Sequence, residues 1–129
     1  MTDAQRHAAK ERKARRCIRI WKRRLGLQAW QFTLFFHRLP DSEGKAYCIA
    51  EPEYRTAKLG FDLERVTDVE IEGFVRHEVL HCLIWSIAKL ALDMADEDKV
   101  LIERVRIEEE TLTTLLDSLP VWRELDETE

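Results

Sequence analysis

From residue 3 to about residue 25 the chain contains neither Gly nor Pro, and Cys17, Ile20, Trp21 and Leu25 recur at spacings of three and four among arginines and lysines. That spacing predicts an amphipathic helix with a narrow apolar stripe, ended by Gly26. From residue 27 to 37 the helical spacing disappears and aromatic and β-branched residues take over, which predicts a buried strand at about 31–37. Pro40, Asp41, Ser42 and Gly44 supply a turn, residues 45–50 form a second short strand closed by Pro52, and residues 56–62 a third with Leu59 and Phe61 on one face. After Asp68 the period lengthens again. Ile71, Phe74, Val75, Leu80, Leu83, Ile84, Ile87 and Leu90 make a broad apolar face on a helix reaching about residue 91, expected to be buried over most of its length. An acidic connection at 93–98, whose last residues suit a cap, leads to a final helix at 100–119 stopped by Pro120, and residues 126–129 are expected to fray. The order helix, three strands, helix, helix predicts an α+β fold with helices packed on a small, mostly antiparallel sheet.

Composition sets the scale. A chain of 129 residues, 45% hydrophobic and 36% charged, suits one domain spanning 1–129; it is too short for a second catalytic domain and too apolar for disorder. The formal net charge of -4 hides a split: residues 1–25 hold ten Lys/Arg against Asp3 and Glu11, and the remainder holds eleven against twenty-three acids. Cys17, Cys48 and Cys82 are odd in number and form no CxxC pair, so free thiols in a reducing cytoplasm are expected rather than a disulfide framework. No apolar leader follows Met1, and the most apolar stretch is too short to span a bilayer; no membrane partner is expected.

The chemistry concentrates at His77, Glu78, Val79, Leu80 and His81, which read HEVLH and match HExxH. Residues four apart on a helix share a face, so both imidazoles can reach one ion about 2 Å from each nitrogen. Glu78 is one step round the helix, displaced from the ligand position but near enough to act as general base on a water. His77 and His81 fall within the most apolar helix, where unpaired imidazoles would cost about 1 to 3 kcal/mol each. A catalytic zinc site needs a third protein ligand, and the last helix offers one. The series Leu101, Val105, Leu112, Leu115, Leu119 leaves a gap filled by Glu108; a shifted series, Ile102, Val105, Leu112, Leu116, Leu119, turns Glu109 inward instead. A carboxylate on a core-facing stripe requires a proton, a cation or a metal. Cys82, about 100° round the helix from His81, reads as a small packed hydrophobe, and the tryptophans read as core.

The run from Trp30 through the strand pair, then EPEYRTAKLGFDLE, HEVLH and a helix with EEETLTTLLDSL resembles the small zincin-type metallopeptidases encoded by phages and prophages, minimal relatives of the gluzincins. The resemblance covers most of the chain, with HEVLH its specific part. It implies one zinc ion held by His77, His81 and either Glu108 or Glu109, with Glu78 as general base in peptide hydrolysis. It further implies a peptide or protein substrate paired along an exposed sheet edge, for which residues 45–50 are the candidate. Tyr54 is a candidate oxyanion donor. No third histidine follows His81, unlike metzincins and SprT-like proteases, and the NExxSD signature of thermolysin-like enzymes is missing. The competing reading is a binding module whose basic first helix contacts nucleic acid or an acidic partner beside a structural or inactive metal site; charge alone favours a solvated face for that helix.

Overall fold

The computed structural model describes residues 1–118. The expectations placed on Leu119, Pro120, Trp122 and residues 126–129 lie outside the described residues. Helix α1 (Asp3–Arg24) begins with a capping box in which Thr2 and Gln5 satisfy each other's backbone N–H. It ends where Gly26, at φ 71°, lets the Leu27 amide turn back onto the Lys22 carbonyl at 2.8 Å. Its buried stripe, Ala14, Cys17, Ile18, Ile20 and Trp21, is wider than the expected one.

Strands β1 (Gln31–Phe36), β2 (Ala46–Glu51) and β3 (Thr56–Phe61) form one sheet in the order β1-β3-β2. The fold is α+β, and the sheet is mixed rather than mostly antiparallel: β2 runs antiparallel to β3, while β1 runs parallel to it. Ala57, Leu59 and Phe61 of the central strand are buried. β1 departs from the buried strand expected of it, because it is an edge strand of a sheet that the described helices cover on one face only. Phe32, Leu34 and Phe36 turn inward, and Gln31, Thr33 and Phe35 face solvent. On the open face, a side chain at Gly60 would collide with the Tyr47 ring, so glycine lets that ring lie across the central strand.

Helix α2 (Ile71–Ala95) crosses the covered face beside α1, and α3 (Lys99–Asp117) returns along it. The acidic connection is only residues 96–98, shorter than expected. Its last member, Asp98, caps α3 by accepting from the Val100 and Leu101 amides at 3.0 and 3.1 Å. The core joins Trp21, Trp30, Leu59, Phe61, Val75 and Val79. It ends halfway along α2: Leu83, Ile87 and Leu90, expected inside, are 39%, 72% and 61% exposed, because α1 and the sheet do not reach that far. No helix among the described residues is long and apolar enough to cross a membrane.

Beyond β3 the buried Asp62 locks the loops. Its Oδ2 accepts from the Leu39 amide at 3.0 Å and from Arg65 Nε at 2.9 Å. The Leu39 bond, opposed by burial and reinforced by Arg65, holds this carboxyl below its ordinary pKa.

Candidate metal centre

The HExxH segment lies in the first half of α2, where α-helical spacing puts His77 and His81 on one face with ring centroids 4.9 Å apart, edge to face. They face α3 across an open cleft of about 570 Å³. Edge strand β2 forms one wall through Ala46 to Ala50, α2 the floor, and α3 the other wall through Glu109 and Glu110. β2 pairs with β3 alone among the described residues, so its second edge carries backbone groups free of a strand partner.

Two kinds of distance separate the carboxylates. Glu109 lies 2.7 Å from His81 Nδ1, a direct charge-assisted hydrogen bond, and beside it the buried Thr113 hydroxyl donates to the Glu109 carbonyl at 2.9 Å and lies 3.3 Å from the same carboxylate oxygen. Glu110 instead straddles the two outer nitrogens, 3.6 Å from His77 Nε2 and 3.4 Å from His81 Nε2. These are too long for good hydrogen bonds. They come from different oxygens, Oε1 toward His77 and Oε2 toward His81, so the carboxylate spans the two imidazoles on the cleft side. On the far side of His77, Nδ1 lies 3.4 Å from Asp117, which is itself held by Arg76 at 2.6 Å. Arg76 also bonds Glu72, which accepts from Trp21 Nε1 at 3.0 Å, so a polar chain runs from the core to the histidine. Each imidazole thus has a carboxylate behind it and presents Nε2 to the cleft.

Two sets of side chains could hold a metal ion: His77, Glu78 and His81, and His81, Glu109 and Glu110, each with donor atoms within 4.8 Å of one another. Imidazole and carboxylate are suitable donors for zinc and for other first-row metals. Glu78 is buried at the base of the cleft. Burial raises its carboxyl pKa, the charges of His81 and His77 oppose the rise, and Glu110 and Glu109 add to it. Burial pulls the His81 pKa down, but the Glu109 hydrogen bond and the charges of Glu109, Glu78 and Glu110 outweigh it and leave it raised.

Glu108 does not join the cluster. It is exposed and paired with Arg104 at 2.9 Å on the outer face of α3. The helix turns Ile102, Val105, Glu109, Thr113 and Leu116 toward α2, while Leu101, Leu112 and Leu115 are 50%, 45% and 58% exposed. The unshifted leucine series therefore pointed to the wrong register; the shifted one describes the helix at Ile102, Val105, Leu116 and the inward Glu109, but not at Leu112, which both series placed inside and which is exposed. Tyr54 is also displaced from its expected place: it is 72% exposed in the turn after β2 and lines no part of the cleft. Tyr47 does line the cleft but places its hydroxyl 3.0 Å from His37 Nε2.

Sequence reasoning missed Glu110, Asp117, Thr113 and Trp85, the last a half-buried cleft wall rather than core. The spacing of seven between Glu110 and Asp117, which puts both on one helix face, was the available signal. Cys82 packs as expected, fully buried, but it also meets Cys48 of β2 with the sulfurs 3.6 Å apart. That contact and burial push the Cys48 thiol pKa well up.

No protein family, curated protein or solved structure matches this chain.

Proposed function

We propose that the chain is a zinc-dependent peptidase in which His77, His81 and Glu110 hold one ion, Glu109 and Asp117 orient the two histidines, and Glu78 is the general base. The observation that carries this reading is that His77, Glu78, His81, Glu109 and Glu110 converge on one cleft in two overlapping groups, sharing His81, each able to hold an ion; Glu110 reaches toward both Nε2 atoms, one oxygen to each, whereas Glu109 bonds His81 at Nδ1. The bound ion would lower the pKa of water toward about 7 and polarise the scissile carbonyl. Glu78, shielded at the base of the cleft, takes a proton from water and returns it to the departing amine nitrogen. The free edge of β2 supports the substrate reading: an extended peptide can bond to it as a fourth strand, which brings a peptide group over the histidines. Glu109 bonds His81 at Nδ1 and so favours the tautomer with a lone pair at Nε2, while Asp117 places its charge 3.4 Å from Nδ1 of His77.

Metal analysis of the purified protein, together with hydrolysis of a quenched-fluorescent peptide library, tests the proposal. About one equivalent of zinc is expected, and Glu78→Gln is expected to retain the metal and lose hydrolysis by at least about a hundredfold. Folded protein that takes up no zinc, or takes up iron in preference, overturns the metal assignment. Zinc-loaded protein without hydrolysis, or Glu78→Gln with full hydrolysis, overturns the peptidase.

A further inference from the structure

We propose that the outer face of α1, continued along the free edge of β1, is a binding surface for the phosphodiester backbone of nucleic acid. Residues 12–40 carry nine Lys/Arg and no Asp or Glu, in a chain whose net charge is -4. Such a run can be neutralised internally or left open, and here the cations divide. Within the run Lys13 pairs with Asp68 and Arg15 with Glu11, and just before it Lys10 donates to the Leu63 carbonyl. Arg12, Arg19 and Arg23 are exposed, and their side chains engage no other side chain among the described residues. They recur at intervals of seven and four, which sets them along one side of the helix over about 16 Å, roughly five base steps of a duplex. Each is a guanidinium, whose planar fork suits phosphate oxygens.

The surface continues onto the sheet. Arg15 lies over the Phe36 ring at 5.1 Å and Lys22 over Phe32 at 5.4 Å, which fastens the basic flank of α1 to β1. Beyond β1 comes Arg38, also exposed and unengaged among the described residues. An anionic lipid surface is the less suitable partner, because the apolar stripe of α1 that would have to enter it, Ala14, Cys17, Ile18 and Trp21, is already buried in the core. No residue of α1 or β1 lines the metal cleft, whose Glu78, Glu109 and Glu110 repel a polyanion. The two surfaces therefore act separately, and a nucleic acid held on α1 leaves the cleft open to a protein bound nearby.

Fluorescence anisotropy with a labelled duplex of about 20 base pairs, and with one of its single strands, tests this surface across a salt series. With about three phosphates neutralised, duplex affinity should fall about fortyfold between roughly 50 and 200 mM salt. Arg12→Gln/Arg19→Gln/Arg23→Gln should weaken binding at least tenfold and flatten the salt dependence, and each single change should lower the slope by about one. Lys99→Gln/Arg104→Gln/Arg106→Gln on α3 alters the net charge equally and should bind as the wild type does. Equal binding by the α1 variant, an equal loss in the α3 variant, or binding to phosphatidylserine vesicles without binding to either nucleic acid overturns the proposal. Metal content and circular dichroism should be unchanged in both variants, so the result is independent of the peptidase reading.

Discussion

Helix α2 meets α1 and α3 in opposite ways. Toward α1 and the sheet it presents Val75, Val79 and Cys82, all fully buried against Cys17, Trp21 and Leu59. Toward α3 its first half presents Arg76, His77 and His81, met by Glu109, Glu110, Thr113 and Asp117. One seam is held by removal of apolar surface from water, which needs no further component. The other buries Ile84 and Ala88 farther along the helix, but at the cleft it is a set of charged and hydrogen-bonding groups whose net gain is small unless each is paired. The fold therefore rests on the first seam, and the second is free to be chemically demanding.

This division is open to direct attack. Trp21→Ala should cost about 3 to 5 kcal/mol, enough to unfold most of the chain, and urea denaturation measures it. A loss below about 1 kcal/mol would break the claim that the α1 seam carries the fold. Chelation should act on the other seam. With the ion at about a hundredfold excess over its dissociation constant, its removal should lower stability by about 2.7 kcal/mol. Hydrogen exchange should then quicken in α3 before α1, and uniform quickening would contradict the division.

Within the polar seam the three glutamates should separate. Glu110→Ala should abolish metal retention, Glu109→Ala should weaken it about 10- to 100-fold, and Glu108→Ala should leave it unchanged, as titration with a competing chelator can measure. Equal effects at positions 108 and 110 would undo the register described above. Asp62 sharpens the comparison from the dry side, being a buried carboxylate there. Its folded pKa lies below that of an unperturbed aspartate, so its contribution is present above the unfolded pKa and lost as the pH falls through the lower folded value. Acid denaturation of Asp62→Asn should therefore be shallower than that of the wild type below about pH 4, and the variant should be less stable at neutral pH by about 1 to 3 kcal/mol. The smallest effect is expected on the outer face of α3, where loss of the Arg104–Glu108 pair should change stability by less than about 0.5 kcal/mol.

The legible parts of the sequence were those where local pattern and tertiary role coincide. The α1 stripe, the strand alternation around Leu59 and Phe61, the Asp98 cap and the HExxH face all follow from spacing along one element. Periodicity misled at α3 because the site itself occupies the inward stripe. Glu109, Thr113 and Asp117 stand where leucines would mark a core face, and Leu101, Leu112 and Leu115 are left half-exposed. Hydrophobicity reports the buried side of a helix only when burial is apolar. β1 misled for a related reason: an aromatic-rich run is compatible with a central or an edge strand, and the pairing order decides which.

By itself the sequence determined the α+β class, the helix that carries two histidines on one face, and the concentration of basic charge at one end. Only the tertiary structure decided which carboxylates meet those histidines, which strand edge borders them and which arginines engage no side chain among the described residues. The physical reason is range. Helical spacing and caps act over a few residues, whereas the contact of Glu110 with His77 depends on the crossing of two helices whose register no local rule fixes.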